Sequence, residues 1–420
     1  MSGQTLVERI LSDRTGKRVA AGDIVITPVD LAYVQDGTGP LTFRQMEKMN
    51  LTKAANPSRS IVFIDHASPP PRRELAADHV YLREFAAKTG MVLSDIGGGV
   101  CHQVAFEWYV RPGDVAIGAD SHTVMGGAMG AFASGMGSTD VAVALGLGKT
   151  WLRVPETMRL DVGGRFSKGV YSKDLILKVI GDIKTDGATY MAMEWGGAAI
   201  ESMPMTERMV LSNMAVEAGG KCGPIASDQE TKRYLREHRR EAEWKEVRPD
   251  ADAEYTQRIE VSATDLEPMV ARPPQEDNVV PVTDASVKGL KIHQVYVGSC
   301  TNARFEDIQV FCSLMKGEKV AAGTRLIVTP ASRESYEKSL KSGLLEVLID
   351  AGATISSPGC GACPGVHGGV PGDGENVLST TNRNYVGRMG NPAAFTYLAS
   401  PATAAATAMY GVITDPREVA

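Results

Sequence analysis

Strand-like apolar runs alternate with helical patterns in the C-terminal part of the chain. Residues 290–297 (LKIHQVYV) are rich in β-branched and aromatic side chains and predict a strand, and the apolar spacing over 304–315 predicts a helix. A strand over 324–329, a helix over about 332–351 and a strand over 353–356 follow. This order predicts a parallel sheet whose strands are joined by right-handed crossovers.

Shorter apolar runs in the N-terminal part also predict strands, and each precedes a polar or glycine-rich loop. They cover residues 24–26, 61–64, 91–93 and 115–117. Open α/β sheets bind ligands beyond the carboxyl ends of their strands, so we expect functional side chains in these loops.

The length of 420 residues is too great for one ordinary hydrophobic core. We predict an α/β domain over residues 1–155, a second domain over 156–265 and a third over 288–420. The proline-rich stretch 266–287 predicts a linker that lies along the surface.

Composition narrows the class of protein. Hydrophobic residues make up 43% and charged residues 22% of the chain, as in a soluble globular protein, and the net charge of −6 argues against nucleic-acid binding. The N-terminal residues carry early charges without an apolar core, which is not typical of a signal peptide or membrane anchor. Six cysteines without a disulfide pattern indicate a reducing, cytoplasmic location.

Three cysteines carry the strongest chemical signal. Cys300 lies in VGSCTNAR, and Cys360 and Cys363 lie in SPGCGACPG, each directly after a predicted strand. Three thiolates can bind three corners of a [4Fe–4S] cluster and leave one iron open as a Lewis acid. A zinc site, a redox-active C-x2-C pair and buried thiols are the alternatives, although a structural zinc site usually has a second C-x2-C. The other three cysteines, Cys101, Cys222 and Cys312, fit small buried residues.

Acid–histidine pairs occupy the loops after the N-terminal strands. Asp65 precedes His66 in IDHAS, His102 lies in CHQV, and Asp120 lies two residues before His122 in GADSH. A nearby carboxylate raises the pKa of an imidazole and fixes its tautomer, so such a pair can give a proton to a leaving hydroxyl. Each histidine alone could equally be structural, but three such loops in one segment favour an active site.

The segment TNRNYVGRMGNP supplies Asn382, Arg383 and Arg388 close in sequence to the cysteines. Arginine binds carboxylates through two parallel hydrogen bonds, which suits a di- or tricarboxylate substrate. Surface salt bridges are the alternative. His367, four residues after Cys363, is a candidate neighbour of the cluster.

Taken together, these motifs resemble the aconitase superfamily over nearly the whole chain. The ordered set is QDGTG, DH, HQ, GADSH, NMAVE, GSCTN, GCGAC and NRN-x2-GR. The length is similar to that of the large subunits of two-subunit 3-isopropylmalate dehydratases of the short archaeal-type branch. That branch also contains homoaconitase and dimethylmalate dehydratase large subunits.

The resemblance implies three α/β/α domains around one [4Fe–4S] cluster, without the swivel domain of longer relatives. It implies that the cluster ligands are Cys300, Cys360 and Cys363, that the proton-donating pair is Asp65 and His66, and that the hydrogen-bonded shell around the open iron is His102, Asp120 and His122. The implied pocket-lining residues are Gln35, Ser121, Asn213, Glu217, Arg383 and Arg388, and the implied neighbours of the cluster are Asn302 and Asn382.

The implied activity is that of a hydro-lyase that dehydrates and rehydrates a hydroxy di- or tricarboxylic acid through a cis-enoate. A separate small subunit would supply the base. The resemblance favours 3-isopropylmalate and leucine biosynthesis, but CGACPG replaces the usual CGPC followed by Leu-Gly or Ile-Gly. Homoaconitate, dimethylmalate, citraconate and maleate therefore remain alternative substrates. An RNA-binding role is disfavoured because the chain is acidic and has no basic stripe interleaved with aromatic residues.

Overall fold

The computed structural model describes residues 3–419, and its three larger sheets follow one another along the chain. The first is a five-stranded parallel sheet in the order β4-β3-β2-β5-β6. Two further strands, β1 and β7, form an antiparallel ribbon beside it. In chain order, the elements of this part are α1 Leu6–Thr15, β1 Ile24–Pro28, β2 Leu31–Gln35, α2 Gly39–Lys48, β3 Ser60–Phe63, α3 Arg73–Thr89, β4 Val92–Ser94, α4 Cys101–Trp108, β5 Val115–Gly118, β6 Phe132–Gly135, α5 Ser138–Leu147 and β7 Lys149–Arg153.

The predicted strands in this part are present, with one difference, and three further strands, β2, β6 and β7, were not predicted. The run 24–26 forms β1 and pairs with β7 rather than with the parallel sheet, because only alternate residues of this strand are buried. The sequence analysis missed β2, which is the middle strand of the sheet. All five residues of β2 are buried, so it lacks the alternation that marks a half-exposed strand.

The second sheet has three parallel strands in the order β10-β8-β9 and is covered by helices. A 3₁₀ turn over Ala215–Ala218 follows α8 and carries a glutamate toward the first sheet. The elements of this part are β8 Thr157–Gly163, α6 Ser172–Ile183, β9 Ala192–Gly196, α7 Ala198–Glu201, α8 Met205–Met214, α9 Gln229–Glu237 and β10 Gln257–Ser262.

The third sheet has seven strands in the order β12-β11-β17-β16-β13-β14-β15. The predicted β-α-β-α-β series is present as parallel strands β13, β14 and β15, but the predicted helix 332–351 is two helices that break at Ser342 and Gly343. The elements are β11 Met269–Ala271, β12 Val279–Pro281, β13 Gln294–Val297, α10 Phe305–Met315, β14 Arg325–Val328, α11 Arg333–Lys341, α12 Leu344–Ala351, β15 Thr354–Ile355, β16 Asn376–Ser379, β17 Phe395–Leu398 and α13 Pro401–Tyr410.

The prediction that 266–287 is a surface linker is wrong. The strand β11 within it pairs antiparallel with both β12 and β17, so the segment forms the edge of the third sheet. All three residues of β11 are buried, and Val270 belongs to the core of that sheet. Its prolines suggested a solvated spacer, whereas the short apolar runs between them are the part that packs.

The three sheets share buried contacts, which hold their loops in fixed relative positions. One core cluster contains Leu31 of the first sheet, Leu160 of the second and Leu398 of the third. The ammonium group of Lys173, fully buried in α6, donates hydrogen bonds to the carbonyls of Thr380 (3.0 Å) and Thr381 (2.5 Å). The loop after β16 is thereby tied to the second part of the chain.

The correction of residues 266–287 can be tested by truncating Val270 to alanine. We expect Val270→Ala to lower the free energy of unfolding by roughly 2 kcal/mol, since two buried methyl groups and their contacts are lost. The matched variant Val279→Ala, at a half-buried position, should have a smaller effect. Denaturant titration measures both. Two equally small effects would contradict the placement of β11 in the core.

Candidate active site

The predicted site residues lie in loops at the carboxyl ends of strands from two sheets, where α/β proteins place their ligands. In the first sheet, Gln35 is the last residue of β2, the loops after β3 and β5 carry Asp65, His66, Asp120 and His122, and His102 lies in the first turn of α4. From the third sheet, loops after β13, β15 and β16 carry Cys300, Cys360 and Asn382. The hydrogen bonds described next bring these loops together.

The pair of Asp65 and His66 lies directly beside Cys360. The Nδ1 atom of His66 is 3.0 Å from Oδ1 of Asp65 and 3.7 Å from Sγ of Cys360. The backbone amide of Cys360 donates a 2.9 Å hydrogen bond to the carbonyl oxygen of Asp65. The acid–histidine pair of one sheet and a candidate cluster ligand of the other are therefore part of one site.

Each of the three cysteines predicted to bind a cluster is buried and faces a polar group. Besides Cys360 next to His66, the amide nitrogen Nδ2 of Asn382 lies 3.4 Å from Sγ of Cys300, and Nη2 of Arg388 lies 3.3 Å from Sγ of Cys363. Donors aimed at sulfur stabilise a thiolate or a sulfur that carries negative charge. The predicted neighbours Asn382 and Arg388 thus contact the cysteines directly.

The chemistry of this set fits a bound iron–sulfur group. Burial raises the pKa of the Cys300 thiol to about 12 and also raises the pKa of Cys360, so that a thiolate here needs a cation to balance it. Among residues 3–419, three buried polar atoms of these site side chains have no hydrogen-bond partner. They are Nδ2 of Asn213, Oδ1 of Asn302 and Nε of Arg388.

Spacing does not favour one zinc ion bound by all three cysteines, because thiolates on one zinc would lie within about 4 Å of one another. Among the described residues, two triads have all their ligand atoms within 4.8 Å. Neither triad contains more than one of the three cysteines; they are His102, His122 and Cys300, and Asp65, His66 and Cys101.

Asp120 is the centre of the histidine network. Its Oδ1 atom lies 2.9 Å from Nε2 of His102, and its Oδ2 atom lies 3.5 Å from Nε2 of His66 and 3.3 Å from Nε2 of Gln35. Burial opposes ionisation, yet the charge and hydrogen bonds of His102, with those of His122 and His66, hold the pKa of Asp120 well below its usual range. Asp120 therefore stays a carboxylate and orients the imidazoles around it.

His66 is arranged to carry a proton. Burial lowers its pKa, but the neighbouring Cys360, Asp65 and Asp120 outweigh burial and raise the pKa well above the ordinary value. Its hydrogen bond to Asp65 fixes the Nδ1 proton, which leaves Nε2 on the side of Asp120. A protonated imidazole in this position can act as a general acid.

A second row of ion pairs joins the remaining predicted residues. His122 Nε2 lies 2.7 Å from Oε1 of Glu217, whose Oε2 accepts a 2.9 Å hydrogen bond from Nε of Arg383. Arg383 also donates to the hydroxyl of Ser121 at 3.0 Å. Asn213 accepts hydrogen bonds from Thr301 and Asn382, which places it beside the Cys300 loop. Arg383 belongs to a network that crosses all three sheets and is not a surface salt bridge.

Two predicted neighbours of the cluster make further contacts. Asn302 donates its side-chain amide to Asp307 at 2.8 Å. His367 Nε2 lies 3.1 Å from the carbonyl oxygen of His66, so the loop after Cys363 contacts the acid–histidine pair.

Sequence reasoning missed residues that hold the site in place. Asp36 accepts hydrogen bonds from the backbone amides of Asp65 (3.0 Å), His66 (2.8 Å) and Ala67 (2.8 Å), and its Oδ2 lies 3.1 Å from Nε2 of His79. Its neighbour Gln35 in QDGTG was noticed, and an acid directly after a strand end was the available signal.

Buried Arg304 plays the same part for the Cys300 loop. It donates to the carbonyls of Cys300 at 2.7 Å and Thr301 at 2.6 Å, and to Oε1 of Gln103 at 2.9 Å. Its burial could not be seen in the sequence, where an arginine is expected to lie at the surface.

The fold and the site define an α/β enzyme with a buried acid–histidine network next to three clustered thiols. A sequence model of the aconitase family (aconitate hydratase) matches residues 8–411, and the chain belongs to this family. Family and relatives together make it a dehydratase, a hydro-lyase.

Three similar relatives cover 99% of this chain and are themselves covered to 99%, and each is named a 3-isopropylmalate dehydratase large subunit. They come from Elusimicrobium minutum, 53% identical, Archaeoglobus fulgidus, 49%, and Thermotoga maritima, 48%. The solved structure of Thermococcus kodakaraensis aconitase X (holo-form) superposes with a TM-score of 0.54 at 14% identity. That match covers 97% of this chain and 91% of the other and supports the fold alone. Over the described residues, the chain has no helix with the length and apolar character to cross a membrane.

The positioning role of Asp36 predicts a pH-dependent loss of stability in Asp36→Asn. Burial raises the pKa of Asp36, but His79, His66 and the backbone amides outweigh burial and hold this pKa below its usual range. This stabilisation is present above the unfolded pKa of about 3.9 and is lost as the pH falls through the folded value. We expect a loss of roughly 3 kcal/mol at pH 7, and a smaller loss at pH 3.

Denaturant titration at pH 7 and pH 3 measures this difference. The control Asp182→Asn removes an exposed carboxylate paired with Lys178 and should change the free energy of unfolding by about 0.5 kcal/mol or less. An equal loss for Asp36→Asn at both pH values would show that charge on Asp36 is not the source of the stabilisation.

Proposed function

We propose that this chain is the large subunit of a two-subunit dehydratase that acts on 3-isopropylmalate and binds one [4Fe–4S] cluster through Cys300, Cys360 and Cys363. The observation that carries the proposal is the contact of Cys360 with the Asp65–His66 pair, which puts a candidate proton donor beside a candidate cluster ligand. Relatives of 48–53% identity named for this activity support the substrate.

When bound, a cluster with one iron that lacks a protein ligand supplies a Lewis acid for the substrate hydroxyl and a neighbouring carboxylate. The three cysteines would hold it from loops after β13 and β15. Arg304 fixes the Cys300 loop by hydrogen bonds to its carbonyls, and the hydroxyl of Tyr296 donates to the carbonyl of Cys360 at 2.8 Å. Ligand positions are therefore set by buried side chains rather than by mobile loops.

His66 gives the Nε2 proton to the departing hydroxyl in this proposal. Asp65 accepts a hydrogen bond from Nδ1 of His66 and so fixes the orientation of the ring, while Asp120 lies 3.5 Å from Nε2. Nε2 of His102 at 2.9 Å and Nδ1 of His122 at 3.5 Å from Oδ1 of Asp120 hold this carboxylate in place opposite His66. On rehydration the same imidazole takes the proton back from water.

Substrate carboxylates are assigned to the arginines. Nε of Arg388 is buried without a hydrogen-bond partner among the residues that the structure describes, and Arg383 lies between Glu217 and Ser121. A charged donor with an unused N–H can bind a carboxylate at the cost of little rearrangement. The base that removes the substrate proton is assigned to a small subunit, consistent with the large-subunit names of the relatives.

The decisive experiment is turnover by the chain purified without oxygen, reconstituted with iron and sulfide, and mixed with its small subunit. We expect 3-isopropylmalate to be turned over faster than citrate, homocitrate, citramalate, dimethylmalate or malate, as followed by enoate absorbance. The large chain alone should be inactive. Preference for another acid would move the assignment to that substrate, and no dehydration of any acid would overturn the proposed function.

The cluster assignment predicts that three cysteines differ from the others. Cys300→Ser, Cys360→Ser and Cys363→Ser should each lower bound iron and sulfide and the visible iron–sulfur absorbance to a small fraction of the unsubstituted value. Cys222→Ser, at a buried position in another core cluster, is the matched control and should keep the full content. If the variants lost iron but the unsubstituted protein contained iron and no sulfide, the cysteines would form a simple metal site instead.

The acid assignment predicts a different result for His66→Ala. Iron and sulfide content should be kept, while kcat falls by roughly 10²–10⁴, the usual contribution of a general acid. His293→Gln is the control because His293 accepts a hydrogen bond from the Asn376 amide at the opposite end of β16. Near-normal turnover by His66→Ala would rule out this residue as the proton donor.

A further inference from the structure

The antiparallel ribbon of β1 and β7 has a solvent-facing side that is unusually apolar. Ile26 pairs with Trp151 across the ribbon, and Ile24 pairs with Arg153, so these side chains share one face. Ile26 is 69% exposed and Trp151 57% exposed, while the alternating residues of each strand, which point to the other face of the ribbon, are buried. An exposed sheet face normally carries polar side chains, and a contiguous apolar patch marks a contact surface.

Tyr190 extends this face toward the second sheet. Its hydroxyl donates to the carbonyl of Arg153 at 3.3 Å, and the ammonium of Lys221 lies 5.5 Å from the centre of its ring. The backbone of Tyr190 has a φ of +62°, which a tyrosine adopts only under constraint, and its amide is held by the carbonyl of Gly219 at 2.9 Å. The fold thus holds an aromatic ring at the rim of the ribbon.

The same aromatic residues line a cavity that includes two residues of the active site. Trp151 and Tyr190 share this open cavity of about 640 Å³ with Asp120 and Ser121. A chain that covers the ribbon at Trp151 would therefore lie against the same cavity as these two site residues. Lys149 and Arg153 lie on the exposed face of β7 at either end of Trp151, giving the apolar centre a basic rim.

We propose that this ribbon face, defined by Ile24, Ile26, Trp151 and Tyr190, is the docking surface for the small subunit. The inference rests on the proposed function for the identity of the partner. Continuity of the face with the cavity that Asp120 lines selects the small subunit over a second copy of this chain, because only a partner that acts in the site must lie against a cavity that contains site residues. The partner surface should present apolar side chains flanked by carboxylates that match Lys149 and Arg153.

The test measures association of the cluster-loaded large chain with the small subunit, in the absence of substrate. We expect the double variant Ile26→Ser, Trp151→Ser to raise the dissociation constant at least tenfold, and Trp151→Phe to retain most of the affinity. Ile349→Ser is the matched control, since Ile349 is 64% exposed on α12 at the edge of the third sheet, and it should change affinity less than twofold. Melting temperature and iron content verify that each variant is folded.

Two results would overturn the proposal. Unchanged small-subunit affinity in the folded double variant is the first, and it would be reinforced if Val386→Ser, at an exposed apolar position beside the cysteine loops, weakened binding instead. The second is a change confined to self-association of the large chain, which would assign the face to a second copy. Because no substrate is present, loss of docking in the double variant would stand even if turnover assays rejected 3-isopropylmalate.

Discussion

The site depends on one backbone hydrogen bond between two sheets. The amide of Cys360 donates to the carbonyl of Asp65 at 2.9 Å, and through it the loop after β15 lies against the loop after β3. Such an approach leaves no room beside the chain: a Cβ atom on Gly359 would lie 3.0 Å from the Asp65 oxygen. The glycine before Cys360 is thus required by packing. This contact holds the Cys360 thiol beside the acid–histidine pair.

Burial of so many ionisable groups is tolerated because each carboxylate of the network faces hydrogen-bond donors or a cation. Asp120 faces three imidazoles, one of these imidazoles faces Glu217, and Glu217 faces Arg383. Each group supplies hydrogen bonds or charge that replace the hydration its neighbour loses on leaving water, so the carboxylates stay ionised in a buried setting. Removing one member leaves an unpaired buried charge, which is why the network acts as a unit and not as separate pairs.

The sequence predicted the α/β class and the chemistry of the site better than it predicted packing. Strand ends followed by Asp65, Asp120 or Cys300 are local patterns, and the structure places those residues at the same edge of their sheets. The middle strand β2 and the strand β11, which lies between β12 and β17, were missed because burial on both faces and pairing between distant segments are properties of the folded chain. The domain boundaries and the roles of the site residues stay predictions.

The same reason explains the positioning residues that escaped notice. Arg304 and Lys173 are charged and read as surface residues, yet both are fully buried, and they hold the Cys300 and Thr380 loops by bonds to carbonyl oxygens. A buried cation that binds backbone carbonyl oxygens from its own fold has no sequence signature. Burial lowers the pKa of Lys173 to about 7, which shows how strongly its surroundings disfavour charge.

Two groups of the acid–histidine network remain partly exposed in this chain. His66 retains 19% of its side-chain surface and Asp120 retains 14%, so water reaches both groups. Electrostatic interactions between them strengthen when water is excluded, since the local dielectric constant falls. In the proposed assembly, a partner on the ribbon face would cover the cavity that Trp151 and Tyr190 share with Asp120 and exclude water from that side of the site. Docking and catalysis would then be coupled through solvent access, with no change of fold required in the large chain.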